Sequence, residues 1–206
     1  MNIDLEGISG QDRKNYTSLL AELREMFKPY GYLLTVSIPA KTADDPQNTR
    51  NGAFDYEAIG SQADLVTIMT YDEHWSGGEP GPVASFSWVQ SVLEYAVGTI
   101  PRQKVLMGVG AYGYDWCSEG TRVVQWDSVN TMTARYGYAQ WDDAFCTPYL
   151  KYWDWNGISH EVWFENEFSL GLKLDLAEAY GVGGIAVWRL GMEDQSFWDT
   201  VRWKLG

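Results

Sequence analysis

The chain has 206 residues, with 28 acidic and 15 basic side chains and a formal net charge of −13. A chain of this length can bury a sizeable core as one domain, and no apolar run approaches the roughly 20 residues a bilayer span requires. The acidic balance disfavours phosphate backbones and anionic lipid surfaces as partners, while a neutral ligand would feel little of that field.

Short apolar runs recur, each followed by an amphipathic stretch. Residues 2–5 form the first candidate strand, and Tyr16, Leu19, Leu20, Leu23 and Phe27 follow at helical spacing. Pro29 and Gly31 end that helix, because proline cannot continue it and glycine accepts the left-handed cap. Further strands are predicted at 33–38, 65–70 and 105–109, with Phe86, Val89, Val92, Leu93 and Ala96 forming a helical stripe before the last of them. From 118 to 158 the rhythm breaks into an aromatic, turn-rich segment, in which 121–126 and 149–155 read as short antiparallel strands. Leu170, Leu174 and Ala177 mark another helix with Gly181 as its C-cap, and 184–188 is the final strand. Continuous apolar strands alternating with helices predict an α/β fold whose parallel sheet is buried on both faces. The expected organisation is a single domain, 1–206, with an insertion subdomain at 118–158. About five βα units fall short of the eight that close a barrel, which leaves an open sheet or a piece of a larger barrel.

The 11 Trp and 13 Tyr suit a ligand with apolar faces, since such rings stack on the C–H faces of sugars, although a Trp-rich core would use them equally well. Cys117 and Cys146 are the only cysteines, and their spacing does not decide whether they pair. With only His74 and His160, a histidine metal cluster is poorly supported, and neither metal nor cofactor is expected.

Asn2, Asp4 and Glu6 alternate with Ile3 and Leu5, so the polar trio shares one strand face and the apolar pair the other. In a barrel strand the apolar pair would meet the helices, leaving the trio inside near the C-terminal mouth. Carboxylates at i and i+2 lie roughly 6–7 Å apart, and the charge of Asp4 would favour a protonated Glu6, fit to act as a general acid. A pair of solvated residues at a strand end is the plain alternative.

The segment Asn2-Ile3-Asp4-Leu5-Glu6 resembles the tail of the glycoside hydrolase family 18 signature D-G-x-x-D-x-D-x-E. The variant is that of the spore-cortex and spore-germination peptidoglycan hydrolases, where Asn replaces the middle Asp; the opening D-G would precede residue 1. Further resemblances follow in order. Thr67-Ile68-Met69-Thr70-Tyr71-Asp72 is similar to the M-x-Y-D motif of strand six, and residues 105–116, VLMGVGAYGYDW, to G-x-x-x-Y-G-Y-D-W of strand seven. Val162-Trp163-Phe164-Glu165-Asn166 is similar to W-F-E-D, with Asn166 for Asp. Residues 184–191, GIAVWRLG, resemble strand eight, whose Trp floors the sugar site.

The resemblance implies a partial (β/α)8 TIM barrel, strands four to eight, with a small α+β insertion before the last strand. It also implies a chitinase-like glycosidase cleaving β-linked N-acetylglucosamine polymers, peptidoglycan or chitin, by a substrate-assisted retaining mechanism that departs from the two-carboxylate rule. In that scheme Glu6 protonates the leaving oxygen, Asp4 accepts the acetamido N–H, and Tyr71 donates to the acetamido oxygen. Met69, Asp72, Trp188 and Tyr112 would bind substrate. Packing is an alternative use for Met69, Tyr71, Tyr112, Tyr114, Trp116 and Trp188, and Glu165 could form a salt bridge or touch sugar. Extracellular, cell-wall or spore-envelope action is implied, with no nucleic-acid partner and no membrane insertion. With three leading strands missing, association through the exposed sheet edge is a further expectation. A non-catalytic sugar-binding relative and an inactive barrel fragment remain as alternatives.

Overall fold

The computed structural model describes residues 1–206. In chain order its elements are β1 (Asn2–Ile3), α1 (Arg13–Phe27), β2 (Thr35–Pro39), α2 (Tyr56–Gln62), β3 (Leu65–Met69), α3 (Phe86–Thr99) and β4 (Val105–Gly110). Then come β5 (Tyr112–Cys117), β6 (Gly120–Gln125), α4 (Val129–Tyr136), β7 (Gln140–Asp142), β8 (Thr147–Trp153), β9 (Ser159–Trp163), α5 (Glu167–Tyr180), β10 (Gly184–Trp188) and α6 (Gln195–Leu205). The chain divides into two compact units. One comprises Met1–Thr70, Gln90–Gly108 and Ala179–Ala186, and the other Tyr71–Val89, Val109–Glu178 and Val187–Gly206. No helix is long and apolar enough to cross a membrane.

The first unit carries a five-stranded sheet in the order β1-β2-β3-β4-β10, with β1/β2, β2/β3 and β3/β4 parallel. All five predicted strands are present, but the first stops at Ile3 instead of residue 5. As an edge strand it has ladder partners on one side only, pairing Asn2 with Thr35 and Ile3 with Val36. The expectation of burial on both faces needs correction. Val36, Ile38, Val66 and Ile68 are fully buried, whereas Thr35, Ser37, Thr67 and Met69 between them are only partly so. Along β2 the alternation of apolar and small polar residues matches these two faces, whereas on β3 the partly exposed face also carries Leu65 and Met69.

Helices cover the buried face with Leu20, Ile59, Val92, Leu93 and Ala96, none of them exposed. Gly31 sits at φ +66° after a 3-10 turn that includes Pro29, the left-handed stop expected there. The Asp55 side chain caps α2 by accepting the Ala58 N–H at 3.0 Å. The last carbonyls of α2 are met by Lys104, whose Nζ donates to Gly60 O and Ala63 O, both at 2.8 Å. A lysine there also complements the negative end of the helix dipole.

The second unit holds an antiparallel sheet, β6-β5-β9-β8-β7, running from Tyr112 to Trp163 and therefore wider than the 118–158 segment expected. Gly113 makes the β5–β9 approach possible, because a Cβ there would lie 2.2 Å from the Trp163 carbonyl oxygen. One face presents Tyr112, Tyr114, Trp116, Tyr149 and Trp163; on the other, Val124, Leu150 and Val162 pack against Val129, Met132 and Tyr136 of α4. Asp194 caps α6, accepting from Ser196 N at 2.8 Å and from Trp126 Nε1 at 3.1 Å. Cys117 and Cys146 are both free thiols, donating locally to Gly120 O and Asp143 O.

Candidate active site

In the first unit, the side-chain amide of Asn2 is held at both ends. Its Nδ2 donates to Ser37 Oγ at 3.0 Å, and its Oδ1 accepts from Thr35 Oγ1 at 2.9 Å. Asn2, Thr35 and Ser37 thus share the face opposite the buried Val36 and Ile38, the orientation predicted from alternation. Beyond Ile3 the chain leaves the ladder, and Asp4 and Glu6 are exposed. Asp4 makes itself felt at Tyr16 of α1: burial first, and then the Asp4 charge, push the Tyr16 phenol up to about 12. That hydroxyl is buried without a hydrogen-bond partner, and the Tyr16 ring meets Phe54 edge-on with ring centres 5.3 Å apart. Met69 closes β3 opposite Pro39, and the neighbouring Thr70 Oγ1 donates to Gly108 O at 2.6 Å.

In the second unit, Tyr71, Asp72 and Tyr112 come together. Asp72 adopts a left-handed backbone, φ +60°, which aspartate tolerates better than most residues. Its Oδ1 accepts from Tyr112 Oη at 2.6 Å and from Tyr114 Oη at 2.9 Å. Burial, followed by the Asp72 charge, pushes both phenols well above the ordinary tyrosine range, so they remain donors. The Tyr71 ring meets Tyr112 edge-on at 6.3 Å, and the row continues through Tyr114 to Trp116 at 5.5 and 5.4 Å. Tyr112, Tyr114 and Trp116 are each under a tenth exposed, so they serve as core around the Asp72 carboxylate. Trp188 is 49% exposed, and its carbonyl accepts from the N–H of Ala111, the residue before Tyr112, at 2.8 Å. Its peptide bond to Arg189 is cis.

Glu165 takes the salt-bridge option: its carboxylate, 5% exposed, accepts from Lys173 Nζ at 2.7 and 2.8 Å and from Ser169 Oγ at 2.6 Å. Two polar arrangements escaped the sequence reading. One is the Thr35–Asn2–Ser37 clasp, which joins side chains of two strands that periodicity along either strand alone does not link. The other is a buried pair, His160 Nδ1 and Asp115 Oδ1 at 2.7 Å, with Tyr152 Oη donating to Asp115 Oδ2 at 2.9 Å. Its signal was available in the pattern, since alternation in Tyr112–Cys117 sets Asp115 on the face opposite the aromatic row.

The family profile of glycosyl hydrolases family 18 matches residues 1–193, and the chain belongs to that family. Among its relatives is the "Uncharacterized glycosylase YvbX" of Bacillus subtilis (strain 168), 35% identical over 206 residues, covering 98% of this chain and 60% of the relative. A chitinase from Chromobacterium violaceum ATCC 12472 superposes with a TM-score of 0.95 at 37% identity, over 100% of this chain and 65% of that one. The Bacillus cereus spore cortex-lytic enzyme SleL superposes with a TM-score of 0.94 at 31% identity, over 100% of this chain and 49% of that one. The chain thus spans about half to two thirds of the length of these relatives.

Proposed function

We propose that the chain is the later part of a (β/α)8 barrel, strands four to eight, of a glycosidase that cleaves β-linked N-acetylglucosamine polymers with retention. The observation that carries this reading is the orientation of β1 within the family-matched segment. Asn2 lies on the face away from the helices, and the exposed Asp4 and Glu6 follow it directly beyond the end of the strand. Glu6 is the acid that protonates the leaving oxygen and then activates water. The 2-acetamido oxygen of the substrate is the nucleophile: it forms the bond to the anomeric carbon as the leaving oxygen departs with the proton of Glu6. Asp4 accepts the acetamido N–H, a charge-assisted bond worth about 1.5–3 kcal/mol. The Tyr71 hydroxyl donates to the acetamido oxygen, Trp188 offers its half-exposed indole as an apolar floor, and Met69 lines the wall.

For Asp72 and Tyr112 the role is narrower than direct contact. The Asp72 carboxylate already accepts two phenolic hydrogen bonds, so this pair holds the Tyr71 ring through the edge contact of Tyr112. Spore-cortex peptidoglycan is the preferred polymer, supported by the Asn2 variant and by the likeness to a spore cortex-lytic enzyme; chitin is the second, supported by the likeness to a chitinase. Action outside the membrane, in wall or spore envelope, goes with either. Release of chromophore from a chitobioside tests the reading. It should vanish in Glu6→Gln with unchanged folding, and a thiazoline mimic of the oxazolinium should inhibit. Full activity in Glu6→Gln, or indifference to the thiazoline, overturns it.

A further inference from the structure

A column of stacked planar groups runs from the surface of the second unit to its buried histidine. The Arg135 guanidinium lies 5.3 Å from the Trp155 ring centre and 5.2 Å from that of Tyr136. Tyr136 stacks on Tyr152 at 4.0 Å, and Tyr152 on His160 at 4.5 Å. The inner end is pinned by the Asp115 carboxylate described above. The outer end is Trp155, which is 80% exposed although its stem belongs to a tightly bonded turn. In that turn Asp154 N donates to Ile158 O at 3.0 Å, and Asp154 Oδ1 accepts from Ile158 N at 2.8 Å and Asn156 N at 2.9 Å. Those backbone donors hold the Asp154 carboxyl below the ordinary carboxylate range, so it is an acceptor at neutral pH.

An exposed indole that is already held in place costs little further entropy when a ligand covers it, which is the condition for a preorganised binding anchor. The surroundings decide which ligand. Asp154, Asn156, Gly157 and Ser159 neighbour Trp155 in the chain, so the exposed indole belongs to a turn rich in hydrogen-bonding groups. A protein partner needs about 800 Å² on each side, commonly with an apolar centre, and one indole on a polar turn does not supply that. A pyranose needs an aromatic face for its C–H side and acceptors for its hydroxyls. The net charge of −13 further favours a neutral ligand.

We propose that Trp155, with the side chains of Asp154 and Asn156, forms a second glycan-binding platform for β-linked N-acetylglucosamine chains. The ligand class rests on the function proposed above; the platform itself rests on the stacked column. The turn lies beyond the Cys117 end of β5, where Cys117 pairs with His160 and Trp153 with Ser159. Tyr112 is at the other end of that strand, about 17 Å away at strand spacing, so the platform is separate from the Tyr112–Asp72 cluster. It would tether the protein to insoluble polymer.

Adsorption to insoluble chitin tests this, measured with Glu6→Gln protein so that no polymer is consumed. Adding Trp155→Ala should weaken adsorption about tenfold, with thermal unfolding unchanged because the indole is exposed. Trp155→Phe should retain most of the binding, and Arg135→Met should give an intermediate loss by freeing the indole. Equal adsorption with and without Trp155, or none by the Glu6→Gln protein itself, overturns the proposal. So does a concentration-dependent dimer in sedimentation that Trp155→Ala abolishes, which would assign the indole to self-association. Failure of the catalytic reading looks different: chitobioside would survive the wild-type protein while adsorption still depended on Trp155.

Discussion

Replacing Lys173 by methionine separates a structural role for Glu165 from a sugar-binding one. The Glu165 carboxylate and the Lys173 ammonium are each about 5% exposed and meet through two bonds of 2.7 and 2.8 Å. Lys173→Met keeps the volume of the stem but leaves a buried carboxylate with the Ser169 hydroxyl as its remaining partner. Breaking a buried ion pair from one side costs about 3–5 kcal/mol, mostly as the penalty of the stranded charge. For a chain of this size each kcal/mol lowers the midpoint by about 2–4 °C, so thermal unfolding should fall by roughly 6–20 °C. The double variant Glu165→Leu/Lys173→Met removes both charges, and Ser169 can then turn to the Asn166 carbonyl, already 3.2 Å away. It should return to within about 1 kcal/mol of the wild type or exceed it, because well-packed apolar groups replace a desolvated pair at little cost. Circular dichroism melts of the three proteins decide the matter. A loss below about 1 kcal/mol in Lys173→Met, or a double variant as unstable as the single one, would refute the argument and return Glu165 to the candidate sugar contacts.

Tyr16→Phe should stabilise the protein by about 1 kcal/mol at neutral pH, since it removes a buried hydroxyl that has no partner. The folded Tyr16 phenol is pushed up from 10.0 to about 12, so its contribution is fully present below pH 10 and is lost as pH rises from there through about 12. Urea titrations should therefore show a smaller alkaline loss of stability in Tyr16→Phe than in the wild type. Asp72→Asn removes the charge facing Tyr112 and Tyr114, and both phenols should titrate at lower pH, followed by phenolate absorbance. Burial, the larger cause, would keep them above the ordinary range, and no change at all would contradict the contacts at 2.6 and 2.9 Å.

Secondary structure was legible wherever one short-range rule governs it. Strands β2, β3, β4 and β10 were read from apolar runs, and α1, α3 and α5 from helical spacing, because backbone bonding and a single buried stripe dictate both. Helices α2, α4 and α6 were missed: α2 and α4 have only seven and eight residues, and α6 is marked mainly by the Asp194 cap that its sequence shares with many turns. The chemistry of Asp4, Glu6, Tyr71 and Trp188 was assigned by resemblance, whereas the orientation of β1 followed from alternation alone.

Tertiary structure decided the partners of the polar groups. Asp72 reads in sequence as a loop residue at a strand end, and only folding brings two phenols some 40 residues away onto one of its oxygens. Glu165 was likewise open until Lys173 arrived on the next helix, and only the fold sets Arg135 against the Trp155 indole. Periodicity along a strand or helix is set by neighbours in the chain and so can be read from it. A hydrogen-bond or stacking partner is set by which distant segments pack together, and that information belongs to the folded chain as a whole.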